Sequence, residues 1–176
     1  MHGLIQVKFF NKIRFSMVIY QISLCITGEE FNYTTCENLL KGFSVQINAK
    51  WFKNDIYYRG EIAHKENFGG IILGHDALYA STEEERKNNI AEFISFLEKN
   101  KDIFKSHGAT DFDLDVNVYL ASAEHFMLLK CHEMKELLRC GISVTRLNIF
   151  PMNIREYNKL IKQMKNERVA FGKTPR

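Results

Sequence analysis

Apolar and polar residues alternate strictly along residues 43–51 and again along residues 111–118 of this chain. A period of two places successive side chains on opposite faces of a β-strand, so each stretch predicts a strand with one buried and one solvated face. Such strands favour an antiparallel sheet, because the strands of an all-parallel sheet are apolar on both faces. The residues predicted to share the buried face of the first stretch are Phe43, Val45, Ile47, Ala49 and Trp51.

The same criteria predict further strands between turn signals. The sequence Lys53-Asn54-Asp55 is a turn, which predicts that residues 43–51 and 56–63 pair as a hairpin with a three-residue loop. Glycines within the strand that follows predict a bulge or the close approach of another backbone; they are Gly69, Gly70 and Gly74. The predicted strands are residues 17–27, 43–51, 56–63, 68–73, 111–120 and 142–150.

The longest predicted helix begins at Ser81, which has capping-box spacing to Glu84, and ends at Gly108. Its apolar stripe consists of Ile90, Phe93, Ile94, Leu97 and Phe104. A short helix of about two turns is expected between Thr34 and Gly42, by the same capping rules.

Two more helices follow later in the chain. One is predicted over residues 123–140, with Met127, Cys131, Met134 and Leu138 on one stripe. The last carries Ile154, Tyr157, Leu160, Ile161 and Met164. The element order β-α-β-β-β-α-β-α-β-α predicts an α+β fold, with one mixed, mainly antiparallel sheet of about six strands and helices mostly on one face.

The net charge of +3 is unevenly distributed along the chain. Residues 1–16 contain three basic residues and no acid, and residues 162–176 contain five basic residues and one acid, which leaves 16 basic and 20 acidic residues in the body. A nucleic-acid-binding protein carries its positive charge on a folded face, so no direct nucleic-acid binding is expected. We expect an N-terminal extension over residues 1–16, a single α+β domain over residues 17–165 and a flexible basic tail over residues 166–176.

The four cysteines are Cys25, Cys36, Cys131 and Cys140. An even number suits disulfides in a secreted protein, and the uncharged residues 15–28 follow a basic stretch as in a signal peptide. Their alternation predicts a strand instead, and no small-residue cleavage site follows them. We therefore expect reduced thiols in a cytoplasmic protein without membrane association, since no apolar stretch reaches the length of a span.

Asp111, Asp113, Asp115 and Asn117 form a ladder on one face of a predicted strand. Carboxylates at this spacing are compatible with a hard cation, with an acidic patch for a basic partner, or with an ordinary solvated face. The spacing alone selects none of the three.

No catalytic motif stands out, and no cofactor is expected. The helix residues His132 and Glu136 do not complete a His-Glu-x-x-His site, and Cys131 and Cys140 are too far apart for a zinc knuckle. No nucleophile elbow occurs, and Cys36 at a helix start has no identifiable base among the histidines. We therefore expect a protein that is not an enzyme.

Residues 52–75 are the most suggestive region for binding. Tyrosine and arginine are typical anchors of protein interfaces, and a strand at a sheet edge accepts a partner strand through its free backbone groups (β-augmentation). An ordinary hairpin with surface aromatic residues is the alternative. The candidate partner-binding residues here are Tyr57, Tyr58, Arg59, Glu61, Lys65, Glu66 and Phe68, which join Asp111, Asp113 and Asp115 from the ladder.

A small α/β chain with an acidic body, interface-type aromatic residues in residues 57–68 and the ladder in residues 111–117 resembles the immunity proteins of bacterial polymorphic toxins, especially those of contact-dependent growth inhibition. These proteins share no diagnostic motif, so no functional residue is transferred from them. The resemblance implies a cytoplasmic inhibitor that binds a cognate toxin domain, often a nuclease, and blocks it. Because a nuclease surface is basic, an acidic inhibitor would be captured quickly and selectively.

Two other classes remain open at this point. One is a metal-dependent enzyme that uses Asp111, Asp113 and Asp115 with a nearby histidine. The other is a homo-oligomeric structural or regulatory domain that uses the hairpin of residues 52–75 on a second copy of itself.

Overall fold

The computed structural model describes residues 17–34, 36–75, 79–122 and 129–171. Within these ranges the strands are β1 (Met17–Gly28), β2 (Val45–Trp51), β3 (Ile56–Arg59), β4 (Ile62–Lys65), β5 (Gly69–His75), β6 (Asp111–Ser122) and β7 (Ser143–Pro151). The α-helices are α1 (Glu83–Ser106), α2 (Cys131–Arg139) and α3 (Ile154–Phe171), and a short 3₁₀ helix spans Cys36–Leu40.

Five strands form one mixed sheet in the order β2-β5-β1-β6-β7, and β3 pairs with β4 in a separate two-stranded hairpin. The pairs β2–β5, β5–β1 and β1–β6 are antiparallel, whereas β6–β7 is parallel. The parallel pair is connected through α2, since parallel neighbours need a crossover. The predicted α+β class with a mixed, mainly antiparallel sheet is confirmed.

The main core lies between the sheet and α1. All five residues of the predicted α1 stripe are buried, together with the alternate residues of β1 and β6 that face the helix. We call this side of the sheet the helix face and the opposite side, which carries Thr27 and Asp113, the open face, although Ile19 near the start of β1 is fully buried on it. The buried strand residues on the helix face include Ile22, Leu24, Ile26, Leu114 and Val116.

The first residue of α1 lies later than predicted. The N-cap is Thr82, whose Oγ1 accepts a hydrogen bond from the Glu85 N–H at 3.1 Å, and the Glu85 carboxylate accepts from the Ser81 N–H at 2.7 Å. An isolated bridge between Ala80 and Tyr20 holds the preceding chain extended against β1. The N-cap is therefore Thr82, one residue after the Ser81 that the sequence predicts. Gly108, with a φ of 90°, ends the turn that follows α1 as predicted.

The predicted hairpin between residues 43–51 and 56–63 is wrong. β2 pairs with β5, and the chain between them forms its own hairpin, in which Tyr57 pairs with His64 and Arg59 with Ile62. Gly60, with a φ of 66°, makes the two-residue loop that divides the predicted strand in two.

The single apolar face predicted for residues 43–51 is also wrong, because β2 contains a bulge. Ile47 pairs with Leu73 but Ala49 pairs with Ile72, so Asn48 is the extra residue. One inserted residue places every following side chain of the strand on the opposite face of the sheet. Val45 therefore faces the core, whereas Trp51 lies on the open face.

Each glycine of β5 lies directly against another part of the protein, in the space that a Cβ would occupy. A Cβ on Gly70 would collide with the Trp51 indole, and one on Gly74 with the Asn48 amide. A Cβ on Gly69 would meet the Phe31 carbonyl, which is the predicted close approach of another backbone, whereas the bulge lies in the neighbouring strand β2.

Two helix predictions need correction. In place of a two-turn α-helix, residues 36–40 form a 3₁₀ helix, and Asn32 Oδ1 accepts from the Thr34 N–H at 3.1 Å just before it. The helix predicted over residues 123–140 is described only from Cys131, and residues 123–128, with Met127, lie outside the described part of the chain.

The predicted apolar stripe of α2 does not face the core. Cys131, Met134 and Leu138 are exposed, and the buried residues of the helix are Glu133 and Leu137. The cause is an ion pair with α1, since Arg86 donates to Glu133 through two hydrogen bonds of 3.0 Å. A buried charge requires its partner, and this requirement sets the rotation of the helix.

α3 packs against β6 and extends to Phe171, beyond the predicted domain end at residue 165. The division into an extension, one domain and a tail stays a prediction, and residues 1–16 and 172–176 lie outside the described ranges. In the part of the chain that the structure covers, no helix combines the length and the apolar character needed to cross a bilayer.

Candidate functional site: a cleft between the hairpin and the open face

The aspartate ladder lies on the open face, where each carboxylate has a local partner. Asp113 accepts a hydrogen bond from the Ser143 hydroxyl of β7, and Asp111 accepts from Thr110 Oγ1 at 2.6 Å. Asp115 lies 3.7 Å from Arg146 Nε. Among the described residues, no group of three or more histidine, cysteine, aspartate or glutamate side chains is placed to hold a metal ion.

Asn117, at the end of the ladder, joins three strands through amide hydrogen bonds. It donates to Gln21 Oε1 at 3.1 Å and accepts from Asn148 Nδ2 at 2.9 Å. Gln21 Oε1 also accepts from the Tyr119 hydroxyl at 3.2 Å. This end of the open face is therefore tied to β1 and β7 by its own side chains.

The β3–β4 hairpin (residues 56–65) borders, through Tyr57, a half-open cleft of about 550 Å³ on the open face. The floor is formed by Cys25 and Thr27 of β1 with Ile72 of β5. The walls are formed by Trp51, Tyr57, Glu66, Phe68, Asp113 and Arg146. We call this space the hairpin cleft.

One wall of the hairpin cleft is aromatic. Trp51 packs edge-to-face with Phe68, with ring centroids 6.2 Å apart, and its indole occupies the space that Gly70 leaves. Tyr57 stacks on His64 across the hairpin at 5.2 Å. The bulge at Asn48 is what brings Trp51 to this side of the sheet.

A second groove of about 440 Å³ adjoins the hairpin cleft, because Thr27 and Phe68 line both. Its other lining includes Glu29, Thr110 and Asp111. The two segments singled out in the sequence thus meet in one surface, to which the hairpin region contributes Tyr57, Glu66 and Phe68, and β6 contributes Asp111 and Asp113.

The other predicted partner-binding residues lie nearby but do not line either space. Tyr58, Glu61 and Lys65 are exposed on the hairpin, and Tyr58 points to the opposite face from Tyr57 because they are consecutive in β3. Arg59 belongs to β3, and its side chain lies outside the described part of the protein. Asp115 does not line the cleft, but it forms an ion pair with Arg146, which does.

Five residues that line the hairpin cleft were missed by the sequence analysis: Cys25, Thr27, Trp51, Ile72 and Arg146. Trp51 was assigned to the core side of its strand because the bulge is invisible to simple alternation. Arg146 lies on a strand more than thirty residues from the ladder, and only the parallel pairing of β6 with β7 joins them. The available signal was the Gly70 that pairs with Trp51, since glycine in a strand marks a close approach.

Cys25, on the cleft floor, is held as a neutral thiol. Its pKa is raised to about 11, mainly by burial, with the charges of Asp115 and Asp113 also raising it against the opposing effect of Arg146. A thiol with such a pKa is a poor nucleophile near neutral pH.

The other titratable candidates are dispersed. On α2, Cys131 and His132 are exposed while Cys140 is buried, and Cys36 is buried in the main core. His75 pairs with Glu92 at 2.5 Å on the far side of the sheet from the hairpin cleft.

Searches for a matching family model, a similar curated protein and a similar solved structure each found no match.

Proposed function

We propose that this chain binds a cognate toxin domain and neutralises it, acting as a cytoplasmic immunity protein of the contact-dependent growth inhibition type and not as an enzyme. The observation that carries the proposal is the convergence of the hairpin aromatic residues and the β6 carboxylates on one surface around the hairpin cleft. Interfaces are anchored by aromatic side chains in partly enclosed positions, and charge around them selects the partner.

The charge of this surface suits a basic partner. Glu29, Glu66, Asp111 and Asp113 line the two adjoining spaces together with Arg146. Glu29 pairs with Lys53 at 3.2 Å, so Glu66, Asp111 and Asp113 carry the negative charge of this surface. Complementary charge accelerates encounter and disfavours wrong partners, which is the requirement of an inhibitor that must capture a toxin before it acts.

The exposed hairpin supports a role in protein contact. Ile56, Tyr58 and Ile62 are exposed, as is Tyr57 beside the cleft. A two-stranded hairpin that leaves this much apolar surface in water is typical of a segment that is covered by a partner.

The raised pKa of Cys25 argues against this thiol as a catalytic nucleophile. Cys25 is the one cysteine of the chain on the cleft floor, and its raised pKa disfavours attack on a substrate.

The test begins with affinity purification of the tagged chain from its native host and identification of what co-purifies. The purified pair is then titrated calorimetrically with Asp113→Lys and with Tyr57→Ala, each of which we expect to weaken binding by at least about tenfold, or ~1.4 kcal/mol. Asp102→Lys is the matched control, since Asp102 is exposed on α1, across the sheet, and the charge change is identical.

Co-expression of the partner then measures protection of growth. The proposal predicts that the wild type and Asp102→Lys protect, and that Asp113→Lys protects less. Equal binding by the two charge variants, or a captured partner that is not toxic, would refute it.

Self-association is the second candidate, favoured by the same exposed hairpin residues. Sedimentation at high protein concentration decides it, because a monomer excludes a homo-oligomeric role and a dimer lost in Tyr58→Lys supports one. No observation favours the metal-dependent enzyme, for which metal analysis of the purified chain before and after Asp113→Ala is the direct measurement.

A further inference from the structure

The hairpin cleft combines aromatic rings with carboxylates in a half-open space. Its volume of about 550 Å³ falls within the range of roughly 300–1,000 Å³ that is common for pockets that bind small ligands. Trp51, Tyr57 and Phe68 supply the rings, and Glu66 and Asp113 supply the negative charges. Aromatic faces attract cations, and carboxylates form charge-assisted hydrogen bonds with ammonium and guanidinium groups.

The buried thiol of Cys25 reports the sign of the field in the cleft. After burial, the effects on its pKa decrease in the order Asp115, Arg146 and Asp113. The effect of Asp115 alone therefore exceeds the opposing effect of Arg146, and Asp113 adds to it. The carboxylates therefore outweigh the arginine in the electrostatic potential at Cys25, although Arg146 lines the cleft.

That arginine is held loosely. The Arg146 side chain is 68% exposed and its Nε lies 3.7 Å from Asp115 Oδ1. An ion pair of this kind contributes little to stability, so it yields readily to a better-placed cation. The protein's own guanidinium thus occupies the edge of a site whose charges suit a cation.

We propose that the hairpin cleft accepts one lysine or arginine side chain of the partner protein, with the cation placed between the aromatic wall and the carboxylates of Glu66 and Asp113. This inference rests on the proposed function and specifies how the partner is recognised. Arg146 swings away from the cleft when the partner's side chain enters.

Trp51 makes the test direct, because it is the only tryptophan of the chain and it lines the cleft. The probes are butylguanidinium and butylammonium chloride, which copy the ends of arginine and lysine, titrated while Trp51 fluorescence and its indole N–H resonance are followed. Pentanamide at equal concentration is the neutral control, and sodium chloride is the ionic-strength control. Saturable changes are expected with the cations alone.

Isosteric variants then assign the charges. Asp113→Asn and Glu66→Gln should each weaken probe binding by about tenfold, because each removes one charge-assisted contact. Asp102→Asn should leave it unchanged, since Asp102 lies on α1. Tyr57→Leu should weaken binding and Tyr57→Phe should retain it, which separates the ring from the hydroxyl. Thermal unfolding of every variant verifies that the fold persists.

The inference is wrong if pentanamide gives the same response, if inorganic phosphate saturates the site through Arg146, or if Asp113→Asn and Glu66→Gln bind the cations as tightly as the wild type. Because the titration needs no partner protein, the two proposals fail separately. If the chain binds a toxin partner but does not bind the cationic probes, only the inference is wrong. If the chain binds the probes but no toxin partner is found, only the proposed function is wrong.

Discussion

The buried ion pair between α1 and α2 is the contact whose loss we expect to destabilise the fold most. Arg86 is 0% exposed and Glu133 is 6% exposed. Two hydrogen bonds of 3.0 Å join the guanidinium to the carboxylate, and Glu133 Oε2 also accepts from the Lys130 N–H at 2.6 Å. Removing one member of a buried pair leaves the other charge uncompensated, which costs about 3–5 kcal/mol.

We therefore expect Glu133→Gln to lower the free energy of unfolding by about 3 kcal/mol, the lower end of that range, because the amide still accepts one hydrogen bond. Urea denaturation at pH 7 measures the change. Glu136→Gln is the matched control on the same helix, where Glu136 is exposed, and its effect should stay within about 0.5 kcal/mol.

The double variant Arg86→Met with Glu133→Leu removes both charges at similar volume. We expect its stability to lie within about 1 kcal/mol of the wild type, so the two single losses are strongly non-additive. If Glu133→Gln lowers the free energy of unfolding by less than about 1 kcal/mol, or if the losses add in the double variant, the ion pair does not set the orientation of α2.

The same pair predicts a pH dependence. Burial acts to raise the pKa of Glu133, but the hydrogen bonds from Arg86 and from the Lys130 N–H outweigh it, so the pKa falls below its ordinary value of 4.5. A lowered carboxyl pKa contributes stability above the unfolded-state value, and this contribution is lost as the pH falls through the folded-state value. The stability difference between the wild type and Glu133→Gln should be constant near neutral pH and shrink below pH 4.5.

Three further predictions concern the Trp51 indole, the cysteine thiols and the N-cap of α1. Gly70→Ala forces a Cβ into the Trp51 indole; we expect a loss of about 1–3 kcal/mol in urea denaturation and a shifted Trp51 emission, and an unchanged spectrum would contradict it. Iodoacetamide at pH 8 should label the exposed Cys131 at least about 100-fold faster than Cys25, as followed by peptide mass spectrometry; equal rates would exclude the raised pKa. Thr82→Ala should lower the free energy of unfolding by about 1 kcal/mol while Thr82→Ser retains it, and equal losses would remove Thr82 as the cap.

Much of the fold was predictable where the signal is local. Burial alternates along β1 except at Ile19 and Cys25 and along β6 from Phe112 to Val118, and all five stripe residues of α1 are buried as expected. These elements are long, and each buries one regular face, so their own periodicity identifies them. The glycine after α1 was equally clear, because a positive φ at a helix end favours glycine.

The candidate site was predictable only in part. The sequence singled out Tyr57, Glu66, Phe68 and the ladder as two separate segments, and it missed Trp51 and Arg146. The missing step was the pairing of strands, which depends on contacts between residues far apart in the chain. No local pattern states that residues 45–51 pair with β5 and leave residues 56–65 free as a hairpin over the open face.

The sequence by itself determined the long elements β1, β6 and α1 and the acidic character of the body, because periodicity and charge are carried by the residues themselves. Only the tertiary structure decided the bulge at Asn48, the rotation of α2 around the Arg86–Glu133 pair and the closure of the hairpin cleft. Each of these depends on burial gained or charge compensated across the whole fold. One inserted residue in an edge strand is enough to exchange its buried and open faces.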